Sequence, residues 1–361
     1  MGVVDMAARL AAVRVSPDAT VAEVLRQLEA AGTGVLLVTD EANHLLGVLT
    51  NGDIRRAILA GRGFDSPARE VATETPVVAP AGLSPADMLS LMDRGREFLL
   101  DHLPVVDEFG RVAALHLRSD FVSARLPAAV VMAGGFGTRL RPLTDATPKP
   151  MLPVGERPLL EITLERLGAA GIRNVSVTTH YLGDRISSYF GDGHQLGVDL
   201  HYVDEPNPQG TAGGLRGLVT DDGPVLVLNG DLLTGVSFSD LVAFHRTHRA
   251  AATIGVRRVD VPVPYGVIEC DGTRVRALRE KPRISCLINA GVYLLEPTVR
   301  DLIPPTGRYD MTDLIQALLA AGRTVVSFPI VEYWMDIGQI ADYERAQDDV
   351  RNERVEPCRS W

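Results

Sequence analysis

The chain has 361 residues, a length that predicts two or three domains and excludes a single small binding module. With 46% hydrophobic and 23% charged residues, the composition is that of a globular protein, which excludes fibrous and disordered classes. The formal charge of −10 argues against nucleic acid or an anionic membrane as a partner, so an anionic ligand requires a local basic pocket.

The sequence also predicts a cytoplasmic protein. Its longest uncharged stretch, Leu126 to Thr138, has 13 residues, whereas a membrane-spanning helix needs roughly 20. Charged residues interrupt the N-terminus from Asp5 to Arg14, so we expect no signal peptide. The cysteines form no Cys-x-x-Cys pair, which predicts ordinary thiols and no zinc site; they are Cys270, Cys286 and Cys358.

The first 125 residues contain an internal repeat with a spacing of 67 residues. Residues 38–41, Val-Thr-Asp-Glu, align with residues 105–108, Val-Val-Asp-Glu, and Asp53 aligns with Asp120. A repeat of this length indicates one structural unit used twice.

Each unit has the pattern of a β-α-β-β-α fold. The first helix of each unit is amphipathic, over Val21 to Ala31 in one unit and Pro85 to Arg94 in the other. Two apolar strands separated by an Asp-Glu turn and a second helix follow. We place the units at about residues 1–62 and 63–125.

The first unit ends in residues 47–53, Gly-Val-Leu-Thr-Asn-Gly-Asp. This segment resembles the Gly-x-x-Thr-x-x-Asp signature of CBS domains, so the N-terminal part resembles a tandem CBS-domain pair. The resemblance implies that Thr50 and Asp53 hold the ribose of an adenine nucleotide, with Arg55 or Arg56 on its phosphates.

The second unit departs from this signature, because Leu117 replaces the threonine although Asp120 is retained. At most one complete ribose site is therefore expected. The alternative is a pair that only packs or dimerises, and we expect a homo-oligomer formed through the CBS pair.

A second domain is predicted at residues 126–355, after a linker at Phe121 to Pro127. Strands and helices alternate along it, which predicts a Rossmann-like, mixed and mostly parallel sheet flanked by helices. The predicted strands are Ala128–Met132, Val175–Thr179, Val225–Leu228 and Thr324–Phe328, and the helices are Leu159–Ala170, Phe238–His248 and Thr312–Ala320. Ligands bind outside the carboxyl ends of strands in such sheets, which in this chain are the loops after Met132 and Leu228.

A glycine-rich loop follows Met132. Glycines let backbone N–H groups approach phosphates closely, and the loop lacks the Gly-Lys-Ser/Thr of a P-loop and the third glycine of a dinucleotide fingerprint. Arg139 offers a planar fork for phosphate oxygens and Lys149 a mobile point charge. The residues expected to contact a nucleotide in this loop are Gly134, Gly135, Gly137 and Thr138.

This loop, followed by Pro-Lys-Pro-Met at residues 148–151, resembles the signature of the sugar-1-phosphate nucleotidylyltransferases. Further segments of that family occur in the expected order, so the resemblance covers roughly Ala128 to Gln347. Asp231 follows a predicted strand beside the loop, where a carboxylate is suited to Mg²⁺. The resemblance implies that Asp336 is its partner on the metal.

The resemblance also implies a sugar-phosphate half of the site. Glu280 would accept sugar hydroxyls and Lys281 would pair with the phosphate of the sugar. The other residues placed there are Gly266 and Asn289.

The cations fit two phosphorylated substrates. A nucleoside triphosphate and a sugar 1-phosphate bring about six negative charges, against Arg139, Lys149, Lys281 and Mg²⁺. The attacking phosphate oxygen is already ionised at pH 7, so in-line attack on the α-phosphorus needs no general base.

Glu205 indicates which nucleotide base the donor carries. A carboxylate accepts from N1–H and N2–H of guanine but repels the carbonyls of uracil or thymine, so GTP is the favoured donor, with Gly210 and Thr211 in the following turn. Two alternatives stay open: the same chemistry with dTTP or UTP, or an adenine-nucleotide sensor with a transferase-like scaffold.

Overall fold

The structure is a computed structural model that describes residues 5–93, 100–121, 126–205, 207–217, 223–352 and 354. Most of the predicted linker, residues 122–125, lies outside the described residues, as do Cys358 and the end of the helix predicted to reach Arg94.

Helices and strands alternate along most of the described chain. The helices are α1 (Met6–Val13), α2 (Val21–Ala31), α3 (Asn51–Leu59), α4 (Pro85–Asp93), α5 (Leu159–Ala169), α6 (Gly183–Phe190), α7 (Phe238–Thr247), α8 (Met311–Ala320) and α9 (Ile340–Arg351). The strands are β1 (Arg14–Val15), β2 (Val35–Thr39), β3 (Leu45–Thr50), β4 (Ala79–Pro80), β5 (His102–Val106), β6 (Val112–Leu117), β7 (Ala128–Met132), β8 (Pro153–Val154), β9 (Arg157–Pro158), β10 (Asn174–Thr179), β11 (Asp199–Asp204), β12 (Val225–Asn229), β13 (Leu232–Thr234), β14 (Ala252–Pro262), β15 (Val267–Asp271), β16 (Arg274–Arg279), β17 (Arg283–Leu295), β18 (Val325–Pro329) and β19 (Trp334–Asp336).

The N-terminal part contains two three-stranded sheets, β1-β2-β3 and β4-β5-β6. In each sheet the first strand is parallel to the second and the third is antiparallel, as the repeat predicts. The two units meet where Leu45 N–H donates to Gly110 O at 3.1 Å and Val112 N–H donates to Asn43 O at 3.0 Å.

The second helices of the two units differ. The first unit ends in α3, whereas the described part of the second ends in a single 3₁₀ turn at Arg118–Asp120. There Asp120 pairs with Arg9 of α1 at 2.6 Å. The carboxylate that the second unit retains at the position of Asp53 thus has a structural partner on the first helix of the chain.

Local sequence explains why α2 begins and ends where it does. Thr20 and Glu23 form a reciprocal capping box at its start, and Gly32 adopts a left-handed conformation at its end. Val21, Val24 and Leu28 are buried on one face against the strands. The predicted bounds of this helix are the observed ones.

The second part is built on a seven-stranded sheet in the order β11-β10-β7-β12-β17-β14-β18. Among these described strands, only β17 runs antiparallel to its neighbours, so the predicted mixed, mostly parallel sheet is confirmed. Helices α5 and α7 contribute to the apolar cluster on one side, and α8 contributes to a separate cluster.

A ribbon extends from this sheet. β17 pairs with β12 only through residues 292–295, and its earlier residues continue the pairing with the second half of β14. The hairpin β15–β16 lies between these two strands in sequence, and most of its residues are exposed. Because β17 runs opposite to β12, the ribbon projects past the edge where β12 ends. In the part of the chain that the structure describes, no helix is long and apolar enough to cross a bilayer.

Candidate active site

A cavity of about 320 Å³ lies at the carboxyl edge of the large sheet. The central strands β7 and β12 end at it, as expected for a ligand site in a sheet of this kind. Its predicted site residues are Gly134, Gly135, Lys149, Glu205, Gly210, Thr211 and Asp231. These residues, which are distributed over about 100 positions of sequence, are therefore brought together by the fold.

The glycine-rich loop requires glycine at residue 137. Gly137 has φ +63, and a Cβ there would lie 2.9 Å from Cγ2 of Thr144. The hydroxyl of Thr144 donates to Gly137 O at 2.8 Å, which fixes the turn. By contrast, a Cβ at Gly135 would meet no atom within 4 Å, so its surroundings leave room beside the backbone.

The two carboxylate oxygens of Asp231 have different surroundings. Lys149 Nζ donates to Oδ2 at 2.5 Å, while Oδ1 is buried without a hydrogen-bond partner among the described residues. Asn229, two residues earlier at the end of β12, also has a buried amide oxygen without such a partner. Unpartnered buried oxygens carry a free-energy cost. A hard divalent cation would satisfy the carboxylate, so these residues fit Mg²⁺.

Asp336 is held beside Asp231 by strand pairing. In the β13–β19 pair, Leu232 lies opposite Asp336, and Ile337 N–H donates to Asp231 O at 3.0 Å. Partial burial of the carboxyl, followed by the charge of Asp231, raises the pKa of Asp336 to about 6. The charges of Lys149 and Arg139 act in the opposite direction and lower this pKa.

Glu205 lies directly after β11 and is 6% exposed. Burial raises the pKa of its carboxyl, against a hydrogen bond that Gln209 N–H donates to Oε2 at 3.3 Å. A Cβ at Gly214 would lie 2.5 Å from Oε1, so glycine leaves space for this side chain in its observed position. The carboxylate is thus confined to the wall of the cavity.

The turn at Gly210 and Thr211 is fixed by a distant segment. Met311 N–H donates to the Thr211 hydroxyl at 2.7 Å, and Asp310 Oδ1 accepts from Thr211 N–H at 3.1 Å. A Cβ at Gly210 would lie 2.5 Å from Tyr309 O. The side chain of Thr211 therefore positions the turn.

Part of the cavity wall comes from residues that no sequence motif indicates. Arg308 and Asp310, in the loop before α8, line it with Asn229 and Thr178. Arg308 adds a guanidinium to this wall, where its Nε donates to Asp310 Oδ2 at 3.1 Å. The sequence of this loop matches no motif, so only the fold shows that the loop lies beside the cavity.

Several predicted residues lie outside this cavity. Thr138 and Arg139 form a 3₁₀ turn next to it, and Arg139 is exposed. The four residues expected at the sugar, Gly266, Glu280, Lys281 and Asn289, do not line the cavity and lie on the ribbon or its hairpin. The side chain of Asn289 accepts from Gly291 N–H at 3.0 Å.

A second cavity, of about 640 Å³, lies between the two parts of the chain, and we call it the junction cavity. Thr50, Asp53 and Arg56 line it from the first repeat unit, and Phe244 and Thr247 of α7 line it from the other side. It is therefore walled by both parts of the molecule.

Thr50 and Asp53 already bind each other. Thr50 N–H and the Thr50 hydroxyl donate to Asp53 Oδ2 at 2.8 and 2.6 Å, and Asp53 N–H donates to the hydroxyl at 3.2 Å, so the two residues form the capping box of α3. Arg56 and Thr73 donate to Oδ1 at 2.6 and 2.9 Å. The 7% exposed carboxylate is thus held in place by neighbours that also line the junction cavity.

The two arginines expected at the phosphates, Arg55 or Arg56, differ in their surroundings, and Arg55 is buried. Its guanidinium does not line the junction cavity, since it points away and pairs with Glu332 at 2.8 Å. The adjacent Arg56 lines the cavity instead. Neighbouring residues on a helix face directions about 100° apart, and the other part of the chain buries the Arg55 side.

Comparison with known proteins agrees with this architecture. The sequence matches the nucleotidyl transferase family over residues 128–353 and the CBS domain over residues 7–60 and 68–123. The mannose-1-phosphate guanylyltransferase of Mycobacterium tuberculosis is 40% identical over 230 residues, which cover 62% of this chain and 64% of that protein. The mannose-1-phosphate guanyltransferase of Candida albicans is 38% identical over 226 residues, covering 59% and 62%. The chain thus spans less than two thirds of the length of these relatives.

A solved structure shares the fold. A Bacillus anthracis protein, provisionally named a glucose-1-phosphate thymidylyltransferase, has a TM-score of 0.51 and 25% identity. The similarity covers 62% of this chain and 95% of that one. The large mixed sheet is therefore of the nucleotidyltransferase type, as the sequence predicted.

Proposed function

The chain belongs to the nucleotidyl transferase family and carries two CBS domains, and from this premise we propose that it is a cytoplasmic sugar-1-phosphate nucleotidylyltransferase. We assign residues 126–355 to catalysis and 1–125 to the CBS pair. The observation that carries the proposal is the convergence of the glycine-rich loop, Lys149 and Asp231 on one cavity. Cations and carboxylates around one cavity suit phosphoryl chemistry.

The reaction transfers a nucleotidyl group. An ionised oxygen of the sugar 1-phosphate attacks the α-phosphorus of the triphosphate, the bond between the α- and β-phosphates breaks, and pyrophosphate leaves. Since this nucleophile carries no proton at pH 7, the residues need only position the substrates and neutralise charge. We assign the triphosphate to the backbone N–H groups of the glycine-rich loop, with Arg139 and Lys149 on its oxygens.

We assign Mg²⁺ to Asp231 and Asp336. The buried, unpartnered oxygen of Asp231 and the repulsion between these two carboxylates support the assignment. When bound, the metal would supply positive charge to the phosphates. Lys149 holds the second oxygen of Asp231 and so fixes the direction in which the carboxylate faces.

GTP is the proposed donor. Glu205 is confined in the cavity wall, where its carboxylate can accept the two N–H groups of the guanine edge. Donation by these groups would stabilise the ionised carboxylate that burial disfavours. The names of the two relatives agree with a guanine nucleotide, and dTTP or UTP is the alternative.

Mannose 1-phosphate is the first acceptor to test, because the relatives are named for it. We assign its binding to the ribbon, with Glu280 on its hydroxyls, Lys281 on its phosphate, and Gly266 and Asn289 beside them. The ribbon projects past the same sheet edge as the cavity, which supports this placement.

A panel tests the function. Pyrophosphate release is measured for GTP, ATP, UTP and dTTP against mannose, glucose and galactose 1-phosphates, with and without Mg²⁺. We expect Mg²⁺-dependent release that is fastest with GTP. A transferase-like scaffold would release none with any pair.

The junction cavity favours a second function, in which the CBS pair binds an adenine nucleotide. Among its described lining residues, carboxylates outnumber guanidinium groups, with Asp53, Asp101 and Asp240 against Arg56. This balance favours AMP over the more highly charged ATP. Asp53 and Thr50 would hold the ribose hydroxyls and Arg56 the phosphate.

Calorimetric titration of AMP, ADP and ATP into the intact protein and the Asp53→Asn variant tests this second function. We expect binding that depends on Asp53 and is tightest for AMP. Sedimentation of the same samples tests the homo-oligomer that we propose through the CBS pair. A module that only dimerises would sediment as an oligomer and bind no nucleotide.

A further inference from the structure

Helix α3 touches both the junction cavity and the catalytic part of the chain. The residues at its start, from Thr50 to Asp53, and Arg56 line the cavity. Arg55 lies on the opposite side of the helix and is 2% exposed. A movement of α3 caused by an occupant of the cavity would therefore move Arg55.

Arg55 is bound mainly to one short segment of the catalytic part, residues 328–332. It donates to Pro329 O and, at 2.8 Å, to the carboxylate of Glu332. Its guanidinium carbon lies 3.8 Å from the ring centroid of Phe328, and Asp240 lies 4.0 Å away. The forked donation and the stacking contact are specific to a guanidinium group, whereas the two carboxylates need only a positive charge.

The electrostatics of this contact agree with its geometry. Burial opposes the ionisation of Glu332, but Arg55 holds the pKa of that carboxyl below its usual value. The pair is ionised and largely shielded from solvent, and such pairs depend strongly on the position of both partners.

The segment that Arg55 holds leads directly into the proposed metal site. β19 begins two residues after Glu332 and ends at Asp336. Arg257 donates to the carbonyl oxygens of Ile330 and Glu332, both at 2.8 Å, so the segment is tied on two sides. Few rotatable bonds thus separate the Arg55 contact from Asp336.

We propose that Arg55 is a positioning residue that transmits occupancy of the junction cavity to the segment carrying Asp336. The inference rests on the proposed function in two respects, the nucleotide in the junction cavity and the role of Asp336 at the metal. The coupling runs from the cavity through α3 and Arg55 to residues 329–332 and β19.

Trp334 allows a test that does not depend on activity. It lies in β19 two residues before Asp336, and its indole N–H donates to Ala290 O at 2.9 Å. The chain has two tryptophans, so Trp361→Phe leaves Trp334 as the sole one. AMP is titrated into this variant, with Trp334 emission and calorimetric heat recorded in parallel.

Three further variants in this background make the test specific. Arg55→Lys keeps the charge but loses the fork, and Glu332→Gln keeps the shape of the acceptor but loses its charge. Arg258→Ala is the matched control, because Arg258 donates to Ile58 O of α3 at 3.4 Å and to Ser285 Oγ at 3.3 Å but makes no hydrogen bond to the described residues 329–332.

We expect AMP to shift Trp334 emission in the parent and in Arg258→Ala, but not in Arg55→Lys or Glu332→Gln, although these two still bind AMP. By reciprocity, Mg²⁺ and AMP should change each other's affinity by the same factor, typically about 5- to 150-fold, in the parent. That factor should fall to about 1 in Arg55→Lys.

Two results would overturn the proposal. One is a normal emission response in Arg55→Lys. The other is unchanged Trp334 emission in the parent protein after AMP is added, whether or not AMP binds. A failure of the proposed reaction is distinguishable, since it would abolish pyrophosphate release without affecting the Trp334 response to AMP.

Discussion

At the scale of single residues, the surroundings of Asp231 constrain its two carboxylate oxygens in different ways. One oxygen is bound by Lys149 and the other is buried without a partner among the described residues. The sequence predicted both residues, because Lys149 lies in the Pro-Lys-Pro-Met segment and Asp231 follows a strand at the carboxyl edge of the sheet, where parallel strands bring distant loops together.

Replacing Asp231 by Asn should lower turnover by on the order of 10² or more, since the amide keeps the shape but loses the charge that holds a metal. The fold should be retained. Initial rates of pyrophosphate release and a thermal melt measure the two effects. The exposed Asp301→Asn is the control, and near-normal turnover of Asp231→Asn at saturating Mg²⁺ would refute the assignment.

Glu205 should determine the base. We expect Glu205→Gln to reduce the preference for GTP over UTP by roughly 1 to 3 kcal/mol, because the charge-assisted pair with guanine is lost. The ratio of kcat/KM values for the two donors measures it. The adjacent, exposed Asp204→Asn serves as the control, and an unchanged ratio in Glu205→Gln would show that the carboxylate does not read the base.

At the scale of elements, one glycine of the glycine-rich loop is required by the backbone conformation and another is available for ligand contact. Gly137 needs its positive φ and has Thr144 against it, whereas Gly135 has neither constraint. Two glycines of one loop thus serve different purposes, a distinction that the motif alone does not reveal.

We predict that Gly137→Ala destabilises the protein by about 1 to 3 kcal/mol, because alanine disfavours this backbone conformation. Adding Thr144→Ser, which removes the crowding methyl but keeps the hydroxyl, should recover part of the loss. Gly135→Ala should leave stability unchanged and raise the KM for GTP. Urea unfolding and steady-state kinetics provide the values, and equal stability of both alanine variants would contradict this account.

Sequence patterns predicted the bounds of helices and strands better than the contacts that these elements make. The alternation of apolar segments predicted β7 and α2 to the residue, because burial in a sheet or on one helix face requires that pattern. The loop at Arg308 and Asp310 was not predictable, since it reaches the cavity only through the packing of α8. Likewise, only the docking of the two parts decides which of Arg55 and Arg56 faces the junction cavity.

At the scale of the whole molecule, burial beside the junction cavity lowers the pKa of a histidine. His102 begins β5 and lines the cavity. Burial lowers the pKa of its imidazole to about 4, although the charge of Asp53 acts in the opposite direction. The folded protein therefore keeps this ring neutral at pH values where an exposed histidine takes up a proton.

This shift predicts a pH dependence of stability. As the pH falls below about 6.5, the unfolded chain protonates the imidazole while the folded chain does not until about pH 4. Acidification across this range should therefore favour unfolding, by linkage. The free energy of unfolding should fall less steeply with decreasing pH in His102→Gln than in the wild type. The exposed His201→Gln should keep the wild-type slope, and parallel curves for His102→Gln and the wild type would contradict the prediction.

In the proposed reaction, a nucleotidyl group passes from the nucleoside triphosphate to the sugar 1-phosphate in one site. The most direct measurement is ³¹P NMR of the wild-type protein with GTP, mannose 1-phosphate and Mg²⁺, in which every phosphorus species is followed at once. The account predicts one pyrophosphate for each nucleotide sugar formed, with loss of both substrates in equal amounts and no inorganic phosphate. Release of inorganic phosphate, or the persistence of both substrates with this pair and with every other donor and sugar 1-phosphate of the panel, would contradict it.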